Sequence, residues 1–218
     1  MIFLNFKTYQ EASGVNALSL IQIVEDVALS TQIKIIPAVQ LLDLKQIISQ
    51  TKLEVWVQKI DPVSYGANTG SILPEEVVAS GARGTFLNHS ENKIADFNLL
   101  KLASQKAKEN DLKTLIFCST LEELEKNKTL NPDFLSYEPP ELIGGTTSVA
   151  TSQPEIIAKA AVITKEAGIP LIVGAGISSS QDVKKSLELG AVGVAVASDV
   201  IKSSNPRGEL LDLTEGFK

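Results

Sequence analysis

The chain holds one histidine, His89, in Asn88-His89-Ser90-Glu91 directly after the apolar run Gly84–Leu87. Taken alone, such a residue is more often structural than catalytic. Its place at a strand's end and before a helix changes that balance. A helix N-terminus disfavours imidazolium and leaves a neutral ring that can donate a hydrogen bond. Glu138 stands in the same relation to the run Asp133–Tyr137, with Pro139 and Pro140 limiting the backbone beyond it. A carboxylate so placed is a candidate general base, against the alternative of an ordinary loop glutamate such as Glu141. Asn5 and Lys7 close the run Ile2–Phe6, where alternation puts Phe3, Asn5 and Lys7 on one side. An ammonium at such a strand mouth can hold a phosphate or stabilise an oxyanion. The alternative is a solvated lysine at a strand end.

Two small-residue turns complete the candidate set. Gly174-Ala175-Gly176 and Ala197-Ser198-Asp199 each follow an apolar run, and small residues let backbone N–H groups approach an anion closely. Nothing has metal-ligand spacing: there is no second histidine, and the single Cys118 lies on a strand-like run and reads as core. No cofactor or metal is expected.

These residues need elements to position them. Strand-like runs recur at Ile2–Phe6, Ile33–Ile36, Leu53–Val57, Gly84–Leu87, Leu112–Phe117, Asp133–Tyr137, Ile169–Val173 and Val192–Val196. They are short and continuously apolar, as in parallel strands covered on both faces. Helix signals separate them. Leu18, Ile21, Val24 and Ala28 share a helical face, as do Leu41, Leu44 and Ile48. Ser119–Glu122 and Ser152–Glu155 read as capping boxes, Gly168 and Gly190 as helix stops, and Pro74 to about Ser80 as a very short helix. The pattern predicts an α/β fold, a (β/α)8 barrel forming one domain over 1–218. A doubly wound sheet uses the same units without closing. In a barrel, function sits in the loops at the strands' C-terminal ends.

Composition sets the outer bounds. Of 218 residues, 44% are hydrophobic and 21% charged, as in a globular chain. The net charge of −6 argues against non-specific nucleic-acid binding but not against an anionic substrate met by a few focused donors. No apolar run approaches the ~18 residues of a membrane span. The first residues lack the basic start and long apolar middle of a signal peptide. A cytoplasmic enzyme is the expectation.

Together these segments resemble the triosephosphate isomerase family, in its short archaeal-type branch. The resemblance runs the full length in order, through Asn5-Phe6-Lys7-Thr8-Tyr9, Gly66-Ala67-Asn68-Thr69-Gly70, Leu87-Asn88-His89-Ser90-Glu91, Tyr137-Glu138-Pro139-Pro140-Glu141-Leu142-Ile143-Gly144, Gly174-Ala175-Gly176 and Ala197-Ser198. It implies a TIM barrel that interconverts dihydroxyacetone phosphate and D-glyceraldehyde 3-phosphate through an enediolate, in glycolysis and gluconeogenesis. Glu138 would be the base, His89 the neutral electrophile, Lys7 the stabiliser of negative charge and Asn5 a substrate contact. This division between glutamate, histidine and closing loop is the family's well-known one, and it comes with the resemblance. Ile143 and Gly144 would lie in the loop closing over the phosphate, which Gly176, Ala197 and Ser198 would hold through their backbone. Thr69 would tip a loop reaching into a neighbouring subunit, giving a homodimer in preference to a homotetramer. Longer members carry a tryptophan where Glu141 stands and a glycine pair where Ala197-Ser198 ends the last strand. These departures leave the backbone donors intact.

Two other readings use the same barrel. A Schiff-base aldolase needs a buried lysine, commonly where this chain has Glu138. A non-catalytic phosphate-binding module gives no reason for Lys7, His89 and Glu138 to converge.

Overall fold

In the computed structural model, residues 1–139 and 148–218 are described. The strands are β1 (Ile2–Asn5), β2 (Ile35–Val39), β3 (Trp56–Val57), β4 (Gly84–Leu87), β5 (Lys113–Cys118), β6 (Phe134–Tyr137), β7 (Leu171–Val173) and β8 (Gly193–Val196). Between and after them run α1 (Val15–Thr31), α2 (Leu44–Ile48), α3 (Pro74–Ala79), α4 (Phe97–Glu109), α5 (Leu121–Asn127), α6 (Val149–Ser152), α7 (Pro154–Glu166), α8 (Ser180–Glu188), α9 (Ser198–Ile201) and α10 (Pro206–Glu215). Every strand pairs in parallel with the next, and β8 returns to β1 with Ile2 opposite Val194 and Leu4 opposite Val196. That last pairing closes the barrel and decides against the open doubly wound sheet.

The two-residue period of the strands sorts their side chains into two cores. Phe3, Ile36, Ala38, Trp56, Phe86, Leu115, Phe117, Ile172 and Ala195 fill the interior. Their neighbours in sequence, such as Ile2, Leu4, Ile35, Val57, Leu87, Ile116, Leu135 and Val194, face outward and pack under the helices. Both faces are therefore dry, which is why the runs read as continuously apolar. Cys118 belongs to the outer core, where burial pushes its thiol up to about 12 while Asn127 Nδ2 donates to its sulfur at 3.3 Å.

Several local expectations shift. β2 continues through Pro37, where the sequence pattern stops at Ile36. Pro37 faces β3, which joins β2 only at Ala38, so its missing N–H takes nothing from the ladder. The capping box of α5 is Thr120 with Glu123, one residue later than the pattern places it: Thr120 Oγ1 accepts from Glu123 N–H and Glu123 Oε2 from Ser119 N–H. Ser152 caps nothing, because it ends α6 and α7 starts on Pro154. Leu41 lies exposed ahead of α2 and not on its buried face. Gly168 and Gly190 do end helices, at φ +68° and +105°, with Ile169 N–H reaching Thr164 O and Ala191 N–H reaching Ser186 O.

At the barrel floor the Phe3 and Trp56 rings meet edge-on at 5.0 Å, and Gly84 lies so close to the Trp56 indole that any Cβ there would overlap it. We expect Gly84→Ala to destabilise the fold by about 1–3 kcal/mol through overpacking. Pairing it with Trp56→Phe should restore part of the loss. Urea unfolding of the two single variants and the double gives the coupling, and simple additivity would refute the proposed clash.

Candidate active site

The inward-facing register of the barrel continues past the strand ends and delivers the site. On β6, Phe134 and Ser136 point inward, and Glu138 is the next residue of that register, its N–H bonded to Cys118 O at 2.9 Å. Gly174, the position beyond β7 whose N–H reaches Tyr137 O at 3.1 Å, gives the carboxyl its space: a Cβ there would sit 2.6 Å from Glu138 Oε1. On β1 the same parity carries Phe3, then buried Asn5, then Lys7. Lys7 has φ +46°, and its N–H is held by Asn5 Oδ1 at 3.0 Å.

His89 is placed by its neighbour. Asn88 adopts φ +59°, a left-handed conformation that asparagine tolerates better than most residues. Its side chain donates to Phe117 O at 2.8 Å and accepts from Ile94 N–H at 3.0 Å. The His89 ring then lies edge-on against Phe117 at 4.8 Å. Its Nδ1 accepts the Glu91 N–H at 3.2 Å, at the start of the 3-10 turn Ser90–Asn92. With Nδ1 an acceptor, the neutral ring must carry its proton on Nε2, and Nε2 faces Glu138 Oε2 at 3.4 Å.

The electrostatics follow from burial. Desolvation holds His89 down to about 4, with the Lys7 and Lys93 ammonium groups pushing the same way and Glu91 opposing them. Desolvation lifts Glu138 to about 7, against the pull of Lys7. Its Oε2 has no hydrogen-bond partner among the described residues. A carboxyl poised near neutrality beside a neutral N–H donor is an acid–base pair ready for proton transfer at ordinary pH. The Lys7 ammonium, nearly buried, is paired with Glu91 Oε1 at 2.6 Å.

One cleft joins these groups to the two small-residue turns: Asn5, Lys7, His89 and Glu138 line one side, Gly176, Ala197 and Ser198 the other. Ala175 and Gly176 both take positive φ, +73° and +67°. The short helix α9 begins at this wall with no side-chain cap among the described residues. Ile143 and Gly144 lie outside the described residues. Glu91, Phe117 and Gln58, the last of which donates to Lys7 O, are site residues with no role assigned from the sequence. Glu91 carries a usable signal, because it falls where a cap after His89 must place a backbone N–H. Phe117 and Gln58 carry none. Among the described residues no group of three or more His, Cys, Asp or Glu side chains could hold a metal ion.

Comparison with known proteins gives a consistent picture. The family model described as triosephosphate isomerase matches residues 1–215. The triosephosphate isomerase of Methanothermus fervidus is 39% identical over 98% of this chain and 96% of its own length. That of Methanobacterium bryantii is 40% identical over 98% and 95%. A crystal structure of the enzyme from Bartonella henselae superposes with a TM-score of 0.78 over 99% of this chain and 98% of its own, at 17% identity, a likeness of fold.

The opposed shifts of His89 and Glu138 predict opposed pH effects on stability. Folded His89 refuses a proton below 6.5 that the unfolded chain accepts, so its contribution is present above 6.5 and is lost as pH falls toward 4. Folded Glu138 keeps a proton that the unfolded chain releases above 4.5, so stability falls as pH rises from 4.5 to 7. Each contribution is on the order of 3 kcal/mol, and the two nearly cancel between pH 4.5 and 6.5. Glu138→Gln should therefore gain stability as pH rises through that window, and His89→Asn should lose it. Urea midpoints measured across the window test this; parallel slopes for the two variants would contradict it.

Proposed function

The chain belongs to the triosephosphate isomerase family, and from that membership we propose how its own residues carry the family's reaction. It interconverts dihydroxyacetone phosphate and D-glyceraldehyde 3-phosphate. Glu138 takes the proton from C1 of the ketose. The C–H pair becomes the C1–C2 double bond, and the carbonyl pair moves onto O2. His89 Nε2–H donates to the developing oxyanion, Lys7 stabilises its charge, and Asn5 contacts the substrate. A proton passes from O1 to O2 by way of the His89 ring, and the Glu138 carboxyl returns its proton at C2. The redox change is internal, since one carbon is oxidised as its neighbour is reduced.

The observation that carries this reading is the approach of His89 Nε2 to Glu138 Oε2 at 3.4 Å in a cleft shared with Lys7. Backbone at Gly176, Ala197 and Ser198 holds the phosphate, with Ile143 and Gly144 contributing from beyond the described residues. The aldolase alternative lacks its nucleophile, since the residue after β6 is Glu138. We place the enzyme in the cytoplasm. We also propose that it forms a homodimer, with Thr69 at the interface: residues 64–71 are all exposed, Tyr65 among them at 70%.

Glu138→Gln should still bind 2-phosphoglycolate yet lose about 10²–10⁴-fold in kcat. His89→Asn and Lys7→Met should each lose about 10²-fold or more. A coupled assay of isomerisation reads all of these, and near-normal turnover in Glu138→Gln would assign the base elsewhere. Shortening Gly66–Ser71 should shift the protein toward monomer and lower its activity. Light scattering with an unchanged mass would remove Thr69 from the interface.

A further inference from the structure

We infer that Gln58 is a positioning residue for isomerisation, holding Lys7 in its working conformation by hydrogen-bonding the Lys7 backbone. The inference rests on the role proposed above for the Lys7 ammonium.

Lys7 is a non-glycine residue at φ +46°, a conformation that costs such a residue about 1 kcal/mol or more unless its surroundings enforce it. Both sides of the residue are pinned by side chains. Its N–H donates to Asn5 Oδ1 at 3.0 Å, and its carbonyl oxygen accepts from Gln58 Nε2 at 2.8 Å. Gln58 follows β3 directly, and the same Nε2 also reaches Ala38 O at the end of β2, at 3.4 Å. Ala38 O in turn accepts the Phe6 N–H. One carboxamide thus ties three adjacent strand ends together at the residue whose side chain enters the cleft.

Gln58 lines an adjoining cavity with Asn5, Lys7, His89 and Glu91, and of these Asn5, Lys7 and His89 also line the cleft that holds Glu138. Its carboxamide is spent on the Lys7 and Ala38 carbonyls, so its action on the reaction runs through the Lys7 backbone. Without the donor, the Lys7 carbonyl loses a partly buried partner and φ is free to relax toward the ordinary negative region. That motion carries Nζ away from where the charge develops. Glu91, which pairs with Nζ at 2.6 Å, is half-exposed and can follow the lysine without restoring its position. Among the described residues, the charged and titratable groups facing Glu138 are Lys7, Glu91 and His89, with Asp199 lining the same cleft, and of these Gln58 binds Lys7 alone.

Gln58→Met keeps the length and removes both N–H donors; Gln58→Glu keeps shape and places a carboxylate against the carbonyls. Each should lower kcat/KM by roughly 10- to 100-fold, the scale of a misplaced group, and weaken 2-phosphoglycolate binding. The acid limb of kcat/KM should move to higher pH in both, because a displaced ammonium no longer favours the ionised Glu138. A residue that merely stabilised the fold would shift the unfolding midpoint and leave that limb in place. Adding Gln58→Met to Lys7→Met should cost little further. If Lys7→Met is crippled while Gln58→Met and Gln58→Glu keep normal rates and an unmoved limb, Gln58 has no positioning role. If Lys7→Met itself isomerises normally, it is the Lys7 reading that fails. If the double variant loses as much as the product of the two single losses, Gln58 acts independently of Lys7 and the inference is overturned.

Discussion

Parallel pairing of β8 with β1, Ile2 against Val194 and Leu4 against Val196, leaves the sheet without an edge. With every strand running the same way around a ring, all their C-terminal ends share one rim. Residues from β1, from the turn after β4 and from the end of β6 then face a common space although 131 positions separate Lys7 from Glu138. The interior aromatic cluster fills the barrel below them. The rim is thus a rigid ring with a dry floor, and the site uses both properties. Rigidity fixes the spacing of Glu138 and His89, and dryness sets their protonation.

Burial alone would make a poor catalytic pair, since it drives both groups toward neutrality without regard to the reaction. What tunes it here is a small set of charges at the rim. Lys7 pulls Glu138 downward and His89 downward at once, favouring ionised carboxylate and neutral ring together. Glu91 opposes it on both groups and also takes the Lys7 ammonium as a partner. The Glu91 backbone has a separate task, because its N–H fixes the His89 tautomer. One residue thus acts through its charge and its amide in different directions.

Much of this is legible in the sequence, and the reasons are physical. Continuous apolar runs identify strands covered on both faces, and Gly84–Leu87 is legible to the residue because Gly and Asn bound it. The pattern stops β2 short because proline is normally a strand terminator; only the late arrival of β3 makes Pro37 harmless, and that is a property of the ring. Asn5, Lys7, His89 and Glu138 are visible because chemistry at strand ends draws on few residue types. Gln58 is invisible, because a glutamine donating to a distant carbonyl leaves no pattern along the chain. The same holds for Phe117, which faces His89 from a strand that reads only as core.

The buried Cys118 thiol has a consequence for how the protein meets an oxidising or alkylating environment. Thiol chemistry runs through the thiolate, and a group pushed up to about 12 in the outer core, with Asn127 against its sulfur, offers almost none at neutral pH. It is also the chain's only cysteine, so the folded protein presents no accessible sulfhydryl to peroxide, maleimide or a second molecule. Covalent ageing through this thiol must wait for unfolding, which makes its reactivity a reporter of global opening.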